Sequence, residues 1–106
     1  MSELDIAWIE VTGSPEARLV RIGGDLTVRS LPDIQPTLMS SIETADAVTI
    51  DLEELKFCDS GGIGMFIAAQ GKAAAYDTKL ALTHLRPPVR RLFRVTDLEA
   101  RFLVID

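Results

Sequence analysis

The chain holds a single cysteine, Cys58, among 106 residues. No intrachain disulfide can form, and a reducing compartment fits. Histidine is equally scarce: His84 stands alone, so no metal site is expected and a surface or strand-end position is the ordinary place for it. Long apolar runs are missing. The longest, Ile63 to Ala69, is far too short to span a bilayer. The opening Met1-Ser2-Glu3-Leu4-Asp5 places acids where a signal peptide has its basic region. Together these absences point to the cytoplasm. Basic residues are outnumbered, 11 against 16 acids, for a net charge of −5. That balance argues against a nucleic-acid partner, whose binding needs basic residues to release counterions. It gives no support for insertion into, or adhesion to, an anionic membrane. A local basic patch remains open, because Arg86, Arg90, Arg91 and Arg94 fall close together. Arg90, Arg91 and Arg94 together are ordinarily a solvated helix face, or else a docking face for an acidic partner.

Enzyme signatures are absent too. No Gly-x-Ser-x-Gly elbow occurs, since Cys58 precedes Asp59-Ser60 where glycine is needed. No Gly-Lys-Ser/Thr ending marks a phosphate loop, and no dinucleotide fingerprint is present. Ser60, His84 and Asp97 can be drawn as a triad, but the element order leaves no room for a hydrolase sheet. Asp51, at a strand end, resembles a receiver-domain phosphoacceptor but lacks the acidic pair expected after a first strand. A buried or loop-bonding carboxylate is the better reading. No cofactor and no enzymatic activity are expected.

What is present is the composition of a folded domain: 47% hydrophobic and 25% charged residues. A chain of this size forms one domain, residues 1–106, and buries roughly 65% of its unfolded surface. Ile6, Trp8, Ile9 and Val11 predict a first strand, and Thr12-Gly13-Ser14-Pro15 a turn. Ala17 to Ile22 predicts a second strand, ended by Gly23-Gly24, so the pair reads as a hairpin. Leu31, Ile34, Leu38 and Ile42 make one helical stripe. Pro32 and Pro36 place its regular start no earlier than about Asp33. Ala47–Leu52 predicts a strand, followed by a connecting loop. A helix then runs from Ser60 to about Tyr76, with Ile63, Phe66, Ile67 and Ala74 on one face. Lys79–His84 predicts a strand, Pro87-Pro88 opens a short helix bearing Val89, Leu92 and Phe93, and Arg101–Ile105 ends the chain as a strand.

The order is β-β-α-β-α-β-α-β. Strand–helix alternation after the hairpin implies an α/β domain with a central mixed, mostly parallel sheet and right-handed crossovers. In such sheets the carboxyl ends of strands carry function. Gly23-Gly24-Asp25 and Cys58-Asp59-Ser60 both follow strands, so both can lie at that end.

The segment Asp59-Ser60-Gly61-Gly62 is the most informative in the chain. Ser60 suits an N-cap. Each glycine inside a helix costs about 0.8–1 kcal/mol against alanine, and Gly61, Gly62 and Gly64 follow in one turn. Access to Ser60 and the first amides is the compensation expected, and the alternative is a plain cap with glycines allowing close packing. The helix dipole and free amides favour an anion there.

With Phe57 before it and Ile63 after it, this motif resembles the centre of the STAS domain, the sulfate-transporter and anti-sigma factor antagonist family. Gly24-Asp25-Leu26-Thr27 is similar to that family's earlier Gly-Glu-Leu-Asp signature, and the likeness runs from about Ile6 to Ile105. The resemblance implies a switch protein that antagonises an anti-sigma factor. An anti-sigma factor with serine kinase activity would phosphorylate Ser60, and the unphosphorylated form would bind that factor and free a sigma factor. A phosphatase would reset it. The resemblance places partner contacts at Asp25, Thr27, Asp59, Ser60, Gly61 and Gly62. Thr27 stands where the family often has Asp, and Gly61 where Ser or Thr is common. Members in lipid-transport ABC systems also carry a Gly-Gly motif, so a structural subunit binding an ATPase is the alternative. Cys58 is expected in the core, and Trp8 in the core or on a strand face.

Overall fold

Valine, isoleucine and leucine two residues apart build the inner face of the sheet. Val20, Ile22, Val48, Ile50 and Leu82 are all buried, while Arg21, Thr49, Asp51 and Thr83 between or beyond them are partly exposed. One face therefore packs on helices and the other meets solvent. The computed structural model describes residues 6–105; the acidic stretch Met1–Asp5 lies outside them.

Strands β1 (Trp8–Ser14) and β2 (Ala17–Leu26) form the hairpin, with Trp8 opposite Gly23 and Ser14 opposite Ala17. Trp8 lies on the sheet face, and the Arg21 guanidinium sits 5.5 Å from its ring centroid. Helix α1 (Leu31–Glu43) leads to β3 (Ala47–Asp51), β4 (Leu55–Cys58), helix α2 (Ser60–Ala75) and β5 (Lys79–Thr83). Helix α3 (Pro87–Val95), a single 3-10 turn (Glu99–Arg101) and β6 (Leu103–Ile105) complete the chain. The sheet order is β1-β2-β3-β5-β6, with β4 paired to β2. Among the described residues, only the β1–β2 pairing is antiparallel. The expected mixed, mostly parallel α/β sheet is what forms.

Several expectations need correction. Gly23-Gly24 does not end β2. The strand continues through both glycines, shifts register between Gly24 and Asp25, and exchanges β3 for β4 as its parallel neighbour. The stretch after β3 is not all loop, because Leu55–Cys58 pairs with that continuation. It is only four residues long and leaves Lys56 and Phe57 exposed, so it carries no alternating signature. Helix α1 begins at Leu31 rather than Asp33 and keeps Pro36 inside it. Both prolines are exposed, so water can serve the carbonyl that Pro36 leaves unpaired.

Helix α1 buries Ile34, Leu38 and Ile42, as the stripe predicts. The Thr78 hydroxyl donates to the carbonyls of Ile42 and Ala45, each at 2.9 Å, and so satisfies the end of α1. Helix α2 buries Ile63, Met65, Phe66, Ala69 and Ala73; Ile67 and Ala74 face outward, contrary to expectation. Phe66 meets Phe93 of α3 edge to face, with ring centroids 5.3 Å apart. None of the described helices is long and apolar enough to cross a membrane.

Gly24 is the hinge of this arrangement. Its φ is 79°, and a Cβ there would lie 2.2 Å from the Ile6 carbonyl oxygen. Gly24→Ala is therefore expected to lose at least the ~1–3 kcal/mol of a strained backbone position. Urea unfolding reads this as a lower midpoint with an unchanged m value.

Candidate functional site

The second half of β2 and the end of β4 run side by side, with Asp25 opposite Phe57 and Leu26 opposite Cys58. The β2–α1 and β4–α2 connections therefore meet, although Gly23-Gly24-Asp25, expected to follow a strand, lies within β2, and Cys58 within β4. Asp59 joins them. Its backbone N–H donates to the Leu26 carbonyl at 3.1 Å. Its carboxylate accepts from two elements at once: Oδ1 from the Gly62 N–H at 3.1 Å, and Oδ2 from the Val28 N–H at 3.2 Å.

Asp59, not Ser60, is thus the N-cap of α2. Both residue types cap well, but an ionised acceptor makes the stronger bond, and the strand pairing already fixes Asp59 in extended geometry. Ser60 becomes the first helical residue. It is exposed, and its Oγ makes no hydrogen bond among the described residues. The free-amide anion site expected at this helix start is filled by the chain's own carboxylate. Amides of Gly62, then Val28 and Gly61, hold the Asp59 carboxyl below its ordinary range, against an opposing desolvation effect.

The glycines also differ from expectation. A Cβ on Gly61 would lie 2.9 Å from Val28 Cα, and one on Gly62 2.5 Å from Cys58 Sγ. Close packing, not access, accounts for these two. Gly64 alone among the three faces open space. Gly62 is buried, Gly61 half-buried. Cys58 is in the core, where burial first and the Asp59 charge second push its thiol up to about 12. It is a neutral thiol, not a nucleophile.

Asp25, near the end of β2, and Thr27, in the loop after it, are both half-buried. Ser30, which sequence reasoning passed over, ties that loop together. Its Oγ accepts from the Thr27 N–H at 2.9 Å, with the Thr27 and Asp25 carbonyls at 3.0 and 3.3 Å as acceptors for its hydroxyl. A serine ahead of Leu31-Pro32 is the signal that could have found it. Val28 was missed as well. It is exposed, as are Phe57 and Ile67. Ser60, Gly64, Ile67, Ala68 and Gly71 form the outward side of α2, and none of them is charged.

The triad drawn from sequence does not assemble. His84 Nδ1 lies 3.1 Å from Asp51 Oδ1 instead, and Asp51 also accepts from the Glu53 N–H at 2.9 Å. Asp51 is thus the loop-bonding carboxylate expected. His84 is exposed, as expected, but it is not isolated from other metal-ligand types: Asp51, Glu53 and His84 come together. In the basic set, Arg90 and Arg94 both pair with Glu99.

A strand, a carboxylate-capped helix start and a bare serine on a β-β-α-β-β-α-β-α-β scaffold define a class. The family model described as "Mlab, STAS domain" matches residues 9–105. The chain belongs to the STAS domain family. A relative named anti-sigma-B factor antagonist, from Staphylococcus aureus, is 29% identical over 93 residues, covering 86% of this chain and 85% of that one. An anti-sigma factor antagonist from Mycobacterium paratuberculosis superposes with a TM-score of 0.84 at 20% identity, covering 98% and 89% of the two chains. The Bacillus cell fate determinant SpoIIAA in its phosphorylated form gives 0.71 at 19% identity, covering 93% and 92%.

Asp59→Ala, which removes both carboxylate contacts, is expected to cost about 1–2 kcal/mol. Asp59→Asn keeps an acceptor for one amide only and should lose less. Because the folded-state pKa of Asp59 is lowered, its stabilisation is complete above the unfolded Asp value of about 3.9. It is lost as pH falls through the lowered folded value. Thermal unfolding from pH 7 to pH 2 should show wild type and Asp59→Asn converging at the acid end.

Proposed function

We propose that this protein is an anti-sigma factor antagonist switched off by phosphorylation of Ser60. One observation carries the reading: Ser60 presents on an uncharged helix face a hydroxyl that makes no hydrogen bond among the described residues. The name of the Staphylococcus aureus relative supports the class of partner, and a phosphorylated structural neighbour supports the modification. In this reading the unphosphorylated form binds an anti-sigma factor with serine kinase activity and so releases a sigma factor. The docking face is Asp25, Thr27, Asp59, Ser60 and Gly61, with Gly62 beneath holding the helix close. Exposed Val28 and Phe57 add apolar area at its edge.

The kinase would transfer the γ-phosphoryl group of ATP to Ser60 Oγ, leaving ADP and releasing the hydroxyl proton. The product carries about −1.5 to −2 charges at neutral pH. Burying that charge against an apolar partner face costs several kcal/mol, and each 1.4 kcal/mol is tenfold in affinity. Release therefore needs no unfolding. A phosphatase restores the hydroxyl.

Incubation with the cognate anti-sigma kinase and ATP should label wild type and leave Ser60→Ala unlabelled. Labelling of Ser60→Ala equal to wild type would refute the assignment. Ser60→Asp should bind the partner at least tenfold more weakly with an unchanged melting temperature. A second reading rests on Gly61 and Gly62, which resemble the motif of STAS subunits in lipid-transport ABC complexes. That reading predicts co-purification with an ATPase, indifferent to Ser60→Asp.

A further inference from the structure

The carboxyl ends of two adjacent parallel strands, β3 and β5, bring together side chains the antagonist reading does not use. Asp51 ends β3, and His84 follows Thr83, the residue paired with Asp51 on β5. Glu53 stands two residues past Asp51. One ligand atom from each of the three lies within 4.8 Å of the others. We propose that Asp51, Glu53 and His84 bind a divalent transition-metal cation of the Zn2+ type.

The spacing fits a single ion. Donors at about 2.1 Å from a tetrahedral metal sit about 3.4 Å from one another. His84 Nδ1 and Asp51 Oδ1 are 3.1 Å apart, so a cation can take the place of the proton between them. Glu53 offers the third position from within 4.8 Å of both. The chemistry selects the metal class. Two carboxylates neutralise a divalent charge, and an imidazole donor suits Zn2+ and its neighbours, whereas Mg2+ and Ca2+ take oxygen ligands. Accessibility agrees as well. The Asp51 side chain is largely covered, at 13% exposure, and so is a fixed anchor, while that of His84 is 53% exposed and free to adjust. Glu53 and His84 line an open cleft of about 520 Å³, shared with Glu54, Lys56 and Arg86. Water or a small anion held by Lys56 and Arg86 can complete the coordination from that side.

Bound there, the ion would cross-link the β3–β4 connection to the end of β5. Calorimetric titration of the metal-free full chain with ZnCl2 tests this. Wild type should bind one equivalent, and His84→Ala and Glu53→Gln should each bind at least tenfold more weakly while keeping the wild-type circular dichroism. Zn2+ should raise the melting temperature of wild type and of Ser60→Ala, but not of His84→Ala. If one variant fails to fold, the other reads the site alone. Absence of saturable binding by wild type, or unchanged affinity in the folded variants, overturns the site. Displacement of Zn2+ by an equal concentration of Mg2+ overturns the metal class.

Discussion

The two hydrogen bonds accepted by the Asp59 carboxylate hold the candidate site in one piece. One terminates α2 at Gly62, and the other anchors the β2–α1 loop at Val28. The two segments are distant in sequence, and the Val28 bond extends the β2–β4 pairing of Asp25 and Leu26 into the loop bearing Thr27. Gly61 is part of the same constraint. With Val28 backbone where its Cβ would be, any larger residue must push the loop away and lengthen the Asp59–Val28 bond. The capping carboxylate and the missing side chain are therefore one device.

That device depends in turn on how β2 is divided. Its first half pairs with β3 and its second with β4, and the register shift at Gly24 turns the strand between them. The Gly24 N–H donates to the Glu54 carbonyl at 3.0 Å, which seats the start of β4. A sheet ending at β3 would leave Asp59 with no Leu26 carbonyl to pair with. The short strand is what carries Ser60 to the same end as the β2–α1 loop.

Much of this was legible in the chain. The α1 stripe and β3 are written in periodicity that burial then reproduces, and the hairpin and β5 form where the sequence places them. Strand β4 was not legible, because four residues with Lys56 and Phe57 outward lack any period. Gly23-Gly24 read as a stop, since glycine commonly punctuates strands, but here it permits a bulge. The α2 face misled for a different reason. The helix is apolar on nearly every side, so spacing cannot tell which of Ile63, Phe66 and Ile67 is buried. Choosing Ser60 over Asp59 as the cap was a choice between two adjacent good caps, decided by tertiary contacts with Val28 and Leu26. The neighbourhood of His84 and Asp51 comes from strand register, which no linear spacing records.

The cap assignment also changes what a phosphoryl group on Ser60 would do. Had the first amides of α2 been free, an added anion would bond to them and stabilise the helix start. Asp59 already accepts from Gly62 and Val28 and is held ionised there. A phosphate on the next residue meets a like charge and has no claim on those amides. The remaining pull of the helix dipole works against that repulsion, so the net effect on folding is small. Its bulk and charge project outward from an uncharged face instead. In the proposed switch the energy of modification is therefore expressed at the partner surface rather than in the domain, as a reversible regulator that must fold identically in both states requires.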